Sequence, residues 1–241
     1  MDRRLAYLAA LEIDVWERRD GAGGQASAQV APVERRSAPA PAARADVPGD
    51  VAVLGWDDLV VRVRACTLCP LHATRTQSVF GVGNRSARWM VIGEAPGAEE
   101  DRQGEPFVGR AGQLLNSMLK AMGLAREQVF IANILKSRPP NNRDPRPEEV
   151  RACIPYLYRQ IDLVNPTVLL CVGRIAAQTL LETTQPIGKL RGVVHRIAGN
   201  RPMVVTYHPA YLLRSQGEKR KAWADLVLAM RTYEGLQEGA R

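Results

Sequence analysis

Along residues 3–17 (RRLAYLAALEIDVWE), apolar side chains recur at Leu5, Leu8, Leu11 and Val15, with Tyr7 and Trp16 beside them and charges between. That spacing predicts a short amphipathic helix. Between residues 20 and 50 the periodicity dissolves: nine Ala, four Pro and four Gly fill 17 of 31 positions, with no aromatic residue among them. Such a stretch cannot bury enough apolar surface to offset the entropy of ordering it, so residues 20–55 read as a flexible tether. From residue 56 onward, helical periodicity alternates with short β-branched runs. Strands are expected at 89–93, 129–134, 168–172, 193–197 and 203–207, and helices at 56–65, 111–122, 147–163, 174–181 and 219–233. This alternation predicts an α/β domain over 56–241, its mainly parallel sheet covered on both faces. Ligands of such sheets sit at the carboxyl ends of the strands.

Composition sharpens the picture in two ways. With 46% hydrophobic residues the chain can build a sizeable core, yet no apolar run approaches the ~20 residues of a membrane span. The first helix carries charges on both sides of its apolar positions, unlike a secretory signal, so a cytoplasmic monomer away from the membrane is expected. The net charge of +8 is unevenly placed: residues 1–55 hold 7 Lys+Arg and 8 Asp+Glu, leaving the remainder at +9. A basic globular portion suits a polyanionic partner, although a solvated positive face explains it as well.

The four cysteines fall as Cys66-x2-Cys69, Cys153 and Cys171. Cytosolic proteins seldom keep disulfides, and one close pair plus two distant thiols suggests a metal site. A zinc ribbon wants a second tight pair, whereas iron–sulfur ligation tolerates wide spacings. Cys153 and Cys171 also have apolar neighbours, which leaves buried core thiols as the competing reading.

Candidate chemistry gathers at four segments that end strands or open helices. Gly93-Glu94-Ala95-Pro96-Gly97, with its acidic continuation through Glu100 and Asp101, is a turn that exposes backbone amides after a strand. Pro106-Phe107-Val108-Gly109-Arg110 places an aromatic just ahead of a helix start. Asn133 ends a strand and offers one acceptor and two donors, a pattern that can grip the polar edge of a flat base. Behind it, Lys136, Arg138 and Arg143 lie in a Pro-stiffened loop suited to a nucleic-acid backbone. His208 opens the HPAYLLR segment after the last strand.

GEAPG with its acidic tail, PFVGRAGQLL, NILKSRPPNNR, HPAYLLR and the four cysteines occur in the order found in family 4 uracil-DNA glycosylases, and the chain resembles that family over roughly 57–234. The resemblance implies a three-layer α/β/α fold with a mainly parallel central sheet, excision of uracil from DNA, a structural [4Fe–4S] cluster on Cys66, Cys69, Cys153 and Cys171, and no nucleotide cofactor. It implies that Phe107 stacks on the base, Asn133 reads its edge, and Glu94, Ala95 and Pro96 line the pocket. His208 then donates to uracil O2, and Glu94 positions water or stabilises the cationic sugar. Ala95 stands where better-known relatives carry an aspartate, and Gly97 where they carry a tyrosine that excludes thymine, so Glu100 is expected to crowd the C5 position. Lys136, Arg138, Arg143, Leu212 and Arg214 are the expected DNA contacts. Residues 134–146 contain no histidine that could trap an abasic sugar, so turnover is expected.

The 3–17 helix is faintly similar to the peptide by which the psi subunit of the bacterial clamp loader binds its chi partner, making a replication-machinery protein its expected partner. Unchanged pull-down of replication proteins after deletion of residues 1–20 would sink that expectation. Two other classes compete with the glycosylase. A non-catalytic iron–sulfur nucleic-acid-binding module does not require Phe107, Asn133 and His208 together. A zinc-stabilised nucleotide-binding enzyme would want a Walker A or G-x-G-x-x-G pattern, and the chain has neither.

Overall fold

A computed structural model describes residues 51–239. The amphipathic 3–17 segment and the expected tether through residue 50 therefore lie outside the described residues. The expected tether boundary at 55 needs correcting at its end: Val51 is buried in the core, and the Leu54 carbonyl accepts a hydrogen bond from Arg159 Nε at 2.7 Å. Residues 51–55 thus belong to the folded domain.

Six strands form one mixed sheet: β1 (Val82–Gly83), β2 (Trp89–Gly93), β3 (Phe130–Asn133), β4 (Val168–Val172), β5 (Val194–Ile197) and β6 (Arg201–Thr206), in the order β1-β3-β2-β4-β6-β5. The inner four pair in parallel, and β1 and β5 close the edges antiparallel. The inner strands are buried on both faces, which is why they read as continuous apolar runs. Alternation along them divides the core: Met90, Ile92, Phe130, Ala132, Leu169 and Met203 face one layer, while Trp89, Val91, Ile131, Leu170, Val172 and Val204 face the other.

The helices are α1 (Trp56–Arg64), α2 (Ala98–Gln103), α3 (Arg110–Ala121), α4 (Pro147–Val164), α5 (Arg174–Leu180), α6 (Ile187–Leu190), α7 (Pro209–Arg214) and α8 (Lys219–Glu238). Buried residues of α1, α4, α5 and α6 join the first core layer, and those of α3, α7 and α8 join the second. The expected three-layer α/β/α architecture is observed. Adjacent strands end in register, with Gly93 opposite Asn133 and Val172 opposite Thr206. The segments leaving these ends therefore meet above one edge of the sheet.

Candidate active site

A cavity of about 750 Å³ opens at the carboxyl ends of β2, β3, β4 and β6, and its lining includes Glu94, Ala95, Pro96, Phe107, Asn133 and His208. Four separate segments of the sequence supply these residues, and the parallel sheet brings them together. No described helix is long and apolar enough to cross a membrane.

Asn133 is 2% exposed, and its Oδ1 has no hydrogen-bond partner among the described residues. A buried acceptor left open is costly unless a ligand completes it. Beside it, a side chain on Gly93 would come within 2.4 Å of Asn133 Oδ1 and 2.7 Å of Phe107 Cζ, so only glycine lets the amide and the ring share this floor. Lys136, expected on DNA, is instead sealed beneath the site. Its Nζ donates to the Asn133 carbonyl at 2.7 Å and to Gln160 Oε1 at 2.6 Å, and burial pulls its pKa down to about 7. It is a strut under Asn133, because the chain turns inward after β3.

Phe107 adopts a left-handed backbone, φ 55°, an unusual conformation for a bulky residue. Two features hold it there. Arg126 donates to the Phe107 carbonyl at 3.2 Å and the Pro106 carbonyl at 2.6 Å. At Gly112 an added Cβ would stand 1.8 Å from the Phe107 carbonyl oxygen, so α3 can pass this loop only with glycine there. The ring faces His208, with centroids 5.6 Å apart.

His208 sits just before α7, where its Nδ1 accepts from the Ala210 N–H at 3.1 Å. That bond assigns the neutral-ring proton to Nε2. Burial drives the His208 pKa down to about 4, partly opposed by Glu100 and reinforced by Arg214. The imidazole is therefore a neutral donor at ordinary pH. Glu94 behaves oppositely: burial, joined by the nearby Asp144 charge and opposed by Arg174, raises its carboxyl to about 7. Arg174 and Asp144 form an exposed pair 2.9 Å apart.

Glu100 binds three backbone N–H groups, those of Gly97 (3.1 Å), Val108 (3.0 Å) and Gly109 (3.1 Å), and so ties the two pocket loops together. Its carboxylate also fills the space a side chain at Gly97 would need, 2.7 Å from the added Cβ.

The other expected DNA contacts divide. Arg214 is exposed at the cavity rim, and Arg138 donates to Asn142 Oδ1 at 2.7 Å. Arg143 also lines the cavity, but its guanidinium grips the buried Glu149 carboxylate with two bonds, which hold that carboxyl below its usual range. Its charge is committed to anchoring the start of α4. Leu212 is 1% exposed and packs in the second core layer, because α7 turns that face inward, so it is no DNA contact. Its neighbour Tyr211 is 39% exposed at the cavity and lies 5.0 Å from the Tyr207 ring. Sequence reasoning passed over Tyr211 and Arg126; an aromatic beside the histidine was the available signal for the first.

All four cysteines are free, and all four belong to or pack against the first core layer. Cys66 and Cys69 follow α1 and Cys153 lies on α4; charge on Cys66 and Cys69 reaches Cys153, and burial pushes the Cys153 thiol up to about 12. Cys171 is fully buried within β4, between Ile92 and Val205, and its pKa is raised by burial alone. Among the described residues, no three His, Cys, Asp or Glu side chains form a group suited to one metal ion. Cys153 feels the charges of Cys66 and Cys69, whereas no other thiol acts on Cys171. Three thiols remain as candidates, and two accept hydrogen bonds of the kind that tune cluster sulfurs: Lys136 N–H donates to Cys153 Sγ at 3.1 Å and Tyr156 O–H to Cys66 Sγ at 3.3 Å.

One cavity thus gathers an aromatic ring, a buried amide with an open acceptor and a neutral histidine. Comparison with known proteins agrees. The Uracil DNA glycosylase superfamily model matches residues 80–227. The type-4 uracil-DNA glycosylase of Archaeoglobus fulgidus is 49% identical over 165 residues, covering 65% of this chain and 82% of that protein. That of Thermotoga maritima is 45% identical over 159 residues, covering 66% and 83%. Identity is 31% over 193 residues to a type-5 uracil-DNA glycosylase of Pyrobaculum aerophilum, covering 66% and 84%. The chain belongs to the uracil-DNA glycosylase superfamily, and within it to the type-4 uracil-DNA glycosylases.

Proposed function

We propose that this protein hydrolyses the N-glycosidic bond of deoxyuridine in DNA, releasing uracil and leaving an abasic site for base excision repair. The observation that carries this reading is the open, buried Asn133 Oδ1 in the same cavity as Phe107 and His208. A base inside a duplex cannot reach such a site, so the nucleotide must swing out of the stack. Phe107 then stacks on the ring, Asn133 Oδ1 accepts the N3–H, and its amide nitrogen donates to O4. As the C1′–N1 bond breaks, its electron pair moves onto the base, and His208 Nε2–H donates to O2 where that charge collects. The sugar becomes oxocarbenium-like and water adds to C1′, with Glu94 taking the proton. Glu100 bounds the side of the pocket where a 5-methyl group would enter. Tyr211 is the apolar surface available to fill the gap in the stack, with Arg138 and Arg214 near the backbone.

Cys66, Cys69 and Cys153 would hold an iron–sulfur cluster, which would supply structural cross-linking. Four cysteines without a disulfide among the described residues suit a cytoplasmic location. The segment 3–17 remains the proposed docking peptide for a replication protein.

Glu94 gives the reading a pH signature. The acid form predominates below about 7, so a base role makes the rate of uracil release rise with pH through about 7, while His208 stays neutral throughout. Single-turnover rates from pH 5.5 to 8.5 test this: Glu94→Gln is expected to flatten the rise and slow the reaction about 10²-fold. An unchanged pH profile in Glu94→Gln removes Glu94 from the mechanism.

A further inference from the structure

The region around the three clustered thiols contains a fourth potential donor that is not a cysteine. Ser137 is 4% exposed and directly follows Lys136, whose backbone N–H is bonded to Cys153 Sγ. Arg75 ties Ser137 to the cysteine pair: one guanidinium nitrogen donates to Ser137 Oγ at 2.9 Å, and the other to the Cys66 carbonyl at 3.0 Å and the Arg64 carbonyl at 2.8 Å. Ser137 is thereby held between the segment carrying Cys66 and the sulfur of Cys153. Cys171 belongs to the same core layer but sits within a strand. Its strand, β4, is separated from β3 by β2, about 10 Å across two strand spacings, and Ser137 lies beyond the end of β3.

We propose that the iron–sulfur cluster of this chain is bound through three thiolates, Cys66, Cys69 and Cys153, and one oxygen donor, Ser137 Oγ, while Cys171 is a core thiol. This rests on the cluster reading above and concerns only which atoms hold it. The Arg75 guanidinium, donating to Ser137 Oγ at 2.9 Å, fixes where that oxygen sits. Oxygen is a harder donor than thiolate and holds cluster iron less firmly, so the iron at Ser137 is the labile one. One-electron oxidation by ferricyanide then breaks the Ser137 Oγ–iron bond. The [4Fe–4S]²⁺ cluster gives one electron to ferricyanide, releases one Fe²⁺ and leaves [3Fe–4S]⁺ on the three thiolates.

The test uses the full chain purified without oxygen as wild type, Ser137→Cys, Cys171→Ala and the closer-fitting Cys171→Val. Iron and sulfide content, visible absorption and electron paramagnetic resonance are read before and after one equivalent of ferricyanide. Wild type is expected to lose one iron per chain and show the three-iron signal. Ser137→Cys should keep its fourth iron, losing it at least ~10-fold more slowly, and both Cys171 variants should match wild type in iron and spectrum. Iron loss from folded Cys171→Val, or wild-type lability in Ser137→Cys, overturns the donor assignment and leaves the cluster standing. A wild-type chain that binds zinc and no iron overturns the cluster reading itself.

Discussion

Replacing His208 with alanine is expected to lower the single-turnover rate of uracil release by about 10²–10³-fold while changing DNA affinity little. The reason lies in three connected facts. The ring is buried and neutral, with a pKa near about 4; its Nδ1 is occupied by the Ala210 N–H; and Nε2–H is left to face the cavity. A donor fixed in this way needs no reorganisation when charge appears on uracil O2, so its benefit falls on the transition state rather than on binding. Rapid-quench kinetics with enzyme in excess, together with a binding titration, separate the two effects. A loss confined to affinity would place His208 in substrate binding and remove it from catalysis.

Asn133→Ala is expected to reduce kcat/KM for uracil by about 10²-fold, because losing the amide leaves the N3–H and O4 edge without partners in a dry pocket, a cost of roughly 1–3 kcal/mol for each unpaired group. Asn133→Asp should be worse for uracil. Its carboxylate can still accept from N3–H, yet it presents a second acceptor to O4 and places negative charge beside a leaving group that becomes an anion. The same change should narrow the preference for uracil over cytosine, whose exocyclic amine donates where uracil accepts. Paired rates on oligonucleotides carrying uracil or cytosine measure this. An unaltered ratio would show that Asn133 does not read the base.

Much of this site was legible because parallel α/β architecture turns sequence position into spatial position: residues immediately after β2, β3 and β6 must gather at one edge. Glu94, Asn133 and His208 each follow a β-branched run, and that was sufficient. The short helix α2 hid inside a Gly- and Pro-punctuated acidic run that looked like a surface turn. Its backbone is organised by Glu100, which spans three N–H groups no local pattern reveals. Lys136 and Leu212 misled for one reason: a polar or apolar letter near a site does not say which way the backbone turns it. Lys136 points under Asn133, and Leu212 points into the core. Cys171 is a different case, since four thiols in one chain suggest one site, whereas only Cys66, Cys69 and Cys153 act on one another through charge and Cys171 is sealed within β4. Arg126 and Arg75 act through carbonyls distant in sequence, which no spacing rule exposes.

The central claim is excision of uracil with turnover, and mass spectrometry of the DNA after incubation tests it most directly. Duplexes carrying one uracil or one thymine would be mixed with the protein at substoichiometric concentration. The uracil strand is expected to lose the mass of the base and gain that of water, with its backbone intact and free uracil exceeding the protein, while the thymine strand stays unchanged. An intact uracil strand in the presence of cluster-loaded protein, or a strand joined covalently to the protein, would contradict it.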